Sequence, residues 1–319
     1  MRPILLIYIP TFNRCQSLNL CLSRLMDEMV GIEDEVRVHV SDNCSSDETN
    51  DLLKSISHPS FDYSRNSENI GGPRNYIKVY NYGSFAEYTL VIGDDDYFLG
   101  GALKKLVYDI KNNPQVDIFF INTISYPQDS YDSVLKLMSE SSWRSCPMNG
   151  ILKSHVPGDF TLALKDLFNP LIDEVLGGSM MCYVFRSALL RDHVSDMLDS
   201  IDFGGIYSSY PQTLNIIYSL DPLSAAAHIS TPVTCNFWHH GGEWGKDAYH
   251  KVVSQGLGFL LFELRRLGYI PEEKFSIFFD HYIKIARESL MILLKNTSRN
   301  YQFDHNLLCD ISFELLNRK

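Results

Sequence analysis

The sequence predicts an α/β fold, a doubly wound and mostly parallel sheet followed by a C-terminal helical region. Three observations carry this. Short, continuous apolar runs alternate with helix-patterned stretches through the first 125 residues, the signature of repeated β-α-β units. The polar segments with chemical character come directly after those apolar runs, where an open α/β sheet gathers its ligand crevice. From Asp247 onward the apolar spacing is helical.

Taken in order, Ile4–Ile9 is an unbroken apolar run, as a strand covered on both faces requires. Ser17 to Met29 places Leu18, Cys21, Leu22, Leu25, Met26 and Met29 on one helical face. Val36, Val38 and Val40 alternate with Arg37 and His39 as a second strand. Asp47 precedes a helix bearing Leu52, Leu53 and Ile56, and Phe61 to Ser64 reads as a short strand. Gly71-Gly72-Pro73 opens a helix, with Pro73 in the first turn, where a missing N–H costs nothing. Tyr88–Ile92 is a strand, Ala102–Ile110 a helix and Val116–Ile121 another buried strand. Between Ser125 and Ser154 the composition turns polar and irregular, and residues 157–240 mix helical stretches with Gly and Pro. We expect one domain over 1–240, with a binding half (1–125) and an acceptor half (126–240), and a helical extension over 241–319.

Composition narrows the function. The 319 residues carry 28 basic and 39 acidic side chains, a net charge of −11, which argues against a nucleic-acid binder. The seven cysteines include no Cys-x-x-Cys pair, so a structural zinc site is not expected and the thiols read as reduced. No secretory signal or apolar run of about 20 residues is present. The expectation is a cytoplasmic protein, open to peripheral contact with the inner face of a membrane.

The most informative stretch is Tyr88 to Phe98, where an apolar strand ends in Gly93 and three consecutive carboxylates, Asp94, Asp95 and Asp96. Adjacent like charges repel, and a nearby cation relieves them. Hard oxygen ligands at a strand's C-terminal end suit Mg²⁺ or Mn²⁺ carrying a diphosphate. Pro10-Thr11-Phe12-Asn13-Arg14 ends the first strand, and Ser41-Asp42-Asn43-Cys44-Ser45-Ser46-Asp47 ends the second, so both should face one crevice. Asp42 can accept a hydrogen bond from a base or a ribose hydroxyl. In Asn69-Ile70-Gly71-Gly72-Pro73-Arg74-Asn75 the glycines admit close approach of a ligand, and Arg74 can pair with phosphate or stack on a base. Taken singly, each loop reads equally well as a capped strand-to-helix connection.

Together and in this order, these four segments resemble family 2 glycosyltransferases of the GT-A fold. Residues 4–14 are similar to that family's opening strand and Pro-Thr-x-Asn-Arg turn, and Asp42 to Thr49 to its Asp-x-x-Ser-x-Asp-x-Thr segment. Asn69–Asn75 resembles its Asn-x-Gly-x-x-x-Asn element, and Gly93–Asp96 its metal-binding Asp-x-Asp loop. The resemblance implies a Rossmann-like sheet flanked by helices, a nucleotide-sugar donor, a Mn²⁺ or Mg²⁺ ion, and a glycan or lipid-linked oligosaccharide acceptor. Carried onto this chain, Thr11, Asn13, Arg14 and Asp42 would line the nucleoside pocket, and Pro10 and Asn69 would also bind the donor. Gly72 and Arg74 would sit near base or phosphates. Asp94 and Asp95 would meet the donor, with Asp94 also touching the metal's shell and Asp96 its direct ligand. Most members invert the anomeric centre, which needs one base to deprotonate the acceptor hydroxyl.

The base is where the chain departs from the family. Gly177-Gly178-Ser179-Met180 and Arg186 resemble the segment that precedes its acidic pair, but the pair itself is replaced by Tyr207-Ser208-Ser209-Tyr210-Pro211-Gln212. Asp202 is the nearest carboxylate and our choice of base, with Asp173 and Glu174 as earlier candidates. Tyr210-Pro211-Gln212 resembles an abequosyltransferase-like branch acting on O-antigen and other bacterial surface polysaccharides. His239 and His240, in the Gly- and Trp-flanked stretch Phe237 to Trp244, are equal candidates for a late metal ligand. The helical tail reads as a lid on the sheet, a membrane-surface element or an oligomer contact. Two other readings stay open: a degenerate protein that binds sugar nucleotide without turnover, and a sugar nucleotidyltransferase, although the Gly-rich basic loop the latter wants near the N-terminus is missing. The Gly-x-Gly-x-x-Gly of a dinucleotide dehydrogenase is absent.

Overall fold

A computed structural model describes residues 2–127, 150–189, 191–238, 246–295 and 304–316. The first half alternates as the apolar runs require. Strands β1 (Leu5–Thr11), β2 (Val36–Asp42), β3 (Phe61–Arg65) and β4 (Tyr88–Val91) are linked by helices α1 (Cys15–Met29), α2 (Thr49–Ser55) and α3 (Gly72–Ile77). Then come β5 (Tyr97–Phe98), α4 (Ala102–Asn112), β6 (Ile118–Pro127), β7 (Ile151–Leu152), β8 (Phe160–Ala163), α5 (Leu164–Leu167) and β9 (Tyr183–Arg186). Helix α6 (Pro211–Ser219) and the long strand β10 (Ala225–Trp238) complete the sheet. Four helices follow: α7 (Lys246–Lys251), α8 (Leu257–Arg266), α9 (Glu272–Lys295) and α10 (His305–Leu316).

The sheet runs β3-β2-β1-β4-β9-β6-β10-β5, with β7 beside β6 and β8 beside β10. β3, β2, β1 and β4 are mutually parallel. β9 enters antiparallel between β4 and β6, and β6 pairs parallel with β10. The sheet is therefore mixed, with parallel pairing among β3, β2, β1 and β4.

Two apolar cores lie on opposite faces. Leu5, Ile7 and Ile9 of β1 pack with Leu18, Leu22 and Leu25 of α1 and with Leu103, Leu106 and Ile110 of α4. Tyr8 points to the other face, the alternation that pleating imposes. That second core joins Phe120, Tyr183, Leu214 and Ile217 to Leu257, Leu260, Leu261 and Leu264 of α8 and to Phe275, Phe279 and Tyr282 of α9. Helices α8 and α9 thus cover the sheet, matching the lid among the readings of the tail. Among the described residues no helix is long and apolar enough to cross a membrane. Cys15, Cys21, Cys44 and Cys182 are free thiols.

Local detail explains several boundaries. α1 begins two residues before the periodic pattern because Asp47, on the next loop, accepts the Cys15 N–H at 3.0 Å. The same carboxylate accepts the Thr49 N–H at 3.1 Å, so one side chain serves the starts of both α1 and α2. Buried Glu28 does the like for α4 by accepting the Gly101 N–H at 2.9 Å.

Candidate active site

Parallel register brings the motifs together. Thr11 stands opposite Asp42, and Asp42 opposite Arg65, at the C-terminal ends of β1, β2 and β3. β4 pairs with β1 through Tyr8 and Val91, so the loop carrying Gly93 and the three aspartates leaves the sheet at the same edge. β5, directly after the aspartates, pairs with Thr234 and Cys235 of β10.

Around the trio, Thr11 Oγ1 donates to Asp94 Oδ2 at 2.6 Å and Arg14 Nη1 to Asp94 Oδ1 at 2.6 Å. Arg14 Nη2 reaches Asp95 Oδ2 at 3.0 Å. The Gly93 N–H donates to Asp96 Oδ2 at 2.6 Å. Asp94 and Asp96 are both 3% exposed, and Asp95 is half-buried. Burial lifts the Asp94 carboxyl to about 7, with Arg14 pulling it down and Asp95 pushing it up. Burial, then the charge of Asp95, lifts Asp96 to about 8. The thiol of Cys21 lies beneath them, pushed up by its own burial and then by their charge.

Asp42 is fully buried and its carboxylate is occupied. It accepts the Ser45 N–H at 2.9 Å and pairs with the guanidinium of Arg65. Asp42 therefore holds the Ser41–Asp47 loop and Arg65 in place. Arg65 was not anticipated; the available signal was its position, since it ends the third parallel strand as Asp42 ends the second. Asn13, in the left-handed region at φ 54°, accepts the Ser46 N–H at 2.7 Å and locks the first two loops together. Pro10 lies within β1 opposite Ser41.

A set of hydrogen-bonded amides, of which Asn43 and Asn75 are buried, supports these loops, and sequence reasoning also missed it. Asn75 donates to the Ser41 carbonyl at 2.9 Å and accepts from Ser41 Oγ at 2.7 Å and from Asn66 Nδ2 at 3.0 Å. Asn43 accepts from the Ile70 N–H at 3.0 Å and donates to Asn69 Oδ1 at 2.8 Å. Asn69 also accepts the Gly71 N–H at 2.9 Å. Its amide is thus occupied within the loop.

The glycine turn serves a different neighbour from the ligand expected. Gly71 has φ 89°, and a β-carbon there would run into the Ile201 carbonyl and stand 2.7 Å from Ile201 Cγ1. A β-carbon on Gly72 would meet the Phe203 ring at 2.7 Å. The segment Ile201 to Phe203 lies across the turn. Arg74 is exposed and donates to the Ser195 carbonyl at 3.2 Å. Asp199 shapes this crossing segment by accepting the Ile206 N–H at 2.7 Å and the Ser208 hydroxyl at 3.0 Å.

Of the carboxylates considered as base, Asp202 sits exposed on that segment, its N–H held by Ser200 Oγ at 3.2 Å. Asp173 is fully buried and accepts from Gly177 N, Val175 N, Ser179 Oγ and Tyr183 OH at 3.1–3.2 Å. A carboxylate so enclosed shapes the Gly177-Gly178 turn and has no path to an acceptor. Glu174 lies 3.9 Å from Lys153 Nζ. Gln212, in the first turn of α6, donates to the Gly178 carbonyl at 3.1 Å. His239, His240 and Trp244 lie outside the described residues.

The donor set fits a divalent cation in its chemistry. Asp94 and Asp96 offer hard oxygens in a buried place, with Asp95 and the guanidinium of Arg14 beside them. Among the described residues no three His, Cys, Asp or Glu side chains are arranged to hold a metal alone. An ion here would complete its shell from phosphate and water, as Mg²⁺ commonly does.

Comparison with known proteins accords with this geometry. The model of the family described as Glycosyl transferase family 2 matches residues 6–192. A fragment (1–349) of TarS from S. aureus, solved with UDP-GlcNAc, superposes with a TM-score of 0.61 at 15% identity, covering 89% of this chain and 74% of that one. The mannosyltransferase PcManGT from Pyrobaculum calidifontis, solved with GDP-Man and Mn²⁺, superposes with a TM-score of 0.51 at 14% identity, covering 100% of this chain and 82% of that one. Both share the GT-A fold. Comparison with curated proteins finds no match.

Proposed function

Because this chain belongs to glycosyl transferase family 2, we propose that it moves a sugar from a nucleotide-sugar donor onto a hydroxyl of a glycan or lipid-linked saccharide, with a divalent metal and inversion at the anomeric carbon. One observation carries the reading. Arg65, Asp42, Thr11 and the aspartate trio come out side by side at one edge of the sheet, as a nucleoside diphosphate lying across the strand ends needs. The UDP-GlcNAc of the TarS fragment and the GDP-Man and Mn²⁺ of PcManGT support the same ligand class. The likeness of Tyr210-Pro211-Gln212 to the abequosyltransferase-like branch supports an acceptor belonging to a surface polysaccharide.

On this reading Thr11 and Arg14 hold the Asp94 carboxylate in place before a donor arrives, and the Gly93 N–H sets the rotamer of Asp96. Asp96, with Asp94, would hold the metal, which when bound offsets charge building on the departing diphosphate. Asp42, fixed by Arg65, keeps the nucleoside loop rigid. Asp202 lies on the segment crossing Gly71 and Gly72, beside the donor half, and takes the acceptor proton.

The test is donor hydrolysis and transfer with Mn²⁺ across UDP-, GDP-, CDP- and dTDP-sugars. Metal-dependent turnover of one sugar nucleotide, lost in Asp96→Ala, is the expected result. The presence of Gln212 where the family carries an acid favours a second reading, a sugar-nucleotide binder without turnover. Tight donor binding with no hydrolysis and no transfer would select it.

A further inference from the structure

Arg14 is placed unusually for a residue assigned to a nucleoside pocket. Its two terminal nitrogens are split between Asp94, at 2.6 Å, and Asp95, at 3.0 Å. Its side chain is 23% exposed while that of Asp94 is 4% exposed, so the guanidinium stands at the mouth of the acidic site. Both oxygens of Asp94 are bonded, one by Thr11 and one by Arg14. A metal approaching Asp94 therefore meets a carboxylate already paired with Arg14 and is repelled by the guanidinium's charge. A diphosphate arriving with the metal changes that balance. It offers the guanidinium paired, negatively charged phosphate oxygens that suit its fork at least as well as two separate carboxylates.

We propose that Arg14 is a placeholder cation. It neutralises the trio while no donor is bound, and passes to the donor's phosphates as the metal takes its place on Asp94, so metal and nucleoside diphosphate are taken up together and each weakly alone. The proposal rests on the reading of the trio as a metal–diphosphate site, and adds to it a coupling that must act equally in both directions.

The test is calorimetric titration of Mn²⁺ alone, then in saturating UDP or GDP, into wild type, Arg14→Met and Arg14→Lys. An adjacent guanidinium shifts a carboxylate's affinity for a cation such as the proton by roughly one to three powers of ten. Arg14→Met should therefore bind Mn²⁺ alone at least about tenfold more tightly than wild type. The gain in metal affinity on adding nucleotide should shrink by a similar factor. Arg14→Lys keeps the charge, loses the second prong to Asp95 and should fall between; it also serves if the methionine variant does not fold. Affinity for Mn²⁺ alone that is unchanged or weaker in both variants, with wild type still binding Mn²⁺ and nucleotide together, overturns the placeholder role. Wild type that binds neither nucleotide, with or without Mn²⁺, overturns the metal–diphosphate reading instead.

Discussion

The carbonyl of Ile201 lies over the α-carbon of Gly71, closely enough that no β-carbon fits between them. These residues are far apart in the chain, yet their contact joins the glycine turn after β3 to the loop that carries Asp202. Gly71 also has φ 89°, a conformation that side chains disfavour. Gly71→Ala should destabilise the protein by roughly 2–4 kcal/mol from backbone strain and displacement of Ile201. Chemical denaturation measures the loss, and limited proteolysis should show new cleavage near residues 199–206.

Asp96 lies in the trio with its carboxylate pinned by the Gly93 N–H. Asp96→Ala should lower metal-dependent turnover by roughly a hundredfold or more, the scale for losing one electrostatic stabiliser of a leaving group. Steady-state rates over a manganese series are the check. Rates equal to wild type at saturating metal would remove Asp96 from the role.

The two aspartates considered as base should separate cleanly. Asp173→Asn replaces a buried acceptor of several N–H and O–H groups with a side chain that also donates, and should cost about 3 kcal/mol or more in folding. Asp202→Ala, on an exposed loop, should leave stability within about 0.5 kcal/mol. Its kcat should fall by roughly 10²-fold or more if it takes the acceptor proton. Melting curves and kcat measured on both variants decide the matter.

His39 predicts a pH dependence. It is buried between Tyr8 and Tyr82, with ring centroids 5.7 and 4.0 Å away. Burial lowers its pKa from 6.5 to about 4, opposed by Asp62. The unfolded chain therefore binds this proton more readily, and stability falls as pH drops from about 6.5 toward 4. In His39→Gln the difference in unfolding free energy from wild type should narrow on acidification over that window. Parallel curves for the two proteins would contradict it.

Helices α8 and α9 share a core with the sheet, and Leu261 is fully buried in it. Leu261→Ala should cost roughly 2–5 kcal/mol. Because this core also holds Phe120 and Tyr183 of the sheet, the whole molecule should unfold in one shifted transition, readable by calorimetry. A separate early transition for the tail would refute that.

Much of the fold was legible in the sequence because its determinants are local. A strand covered on both faces must be apolar throughout, as Ile4–Ile9 is, and a helix over a sheet must repeat its apolar residues on one face, as Leu18 to Met29 do. Parallel pairing then delivers every strand's C-terminal loop to one edge, so the motifs after β1, β2 and β4 could be placed in one crevice before any coordinates. The extent of β10, the antiparallel entry of β9 and the mixed half of the sheet were not legible, because those strands are set by partners distant in the chain.

Which side chains would stand at the C-terminal ends of the parallel strands was written in the order of residues along the chain; what each one touches there was not. Arg14 on Asp94, Arg65 on Asp42, Ile201 on Gly71 and the enclosure of Asp173 all join residues that only folding brings together. A carboxylate's chemistry depends on burial and on the cation or N–H beside it, and both are properties of the packed molecule. The chain encodes the inventory of acids, amides and glycines; tertiary packing decided that Asp173 is a brace, that Gly71 makes room for Ile201, and that Arg14 pairs with Asp94 and Asp95.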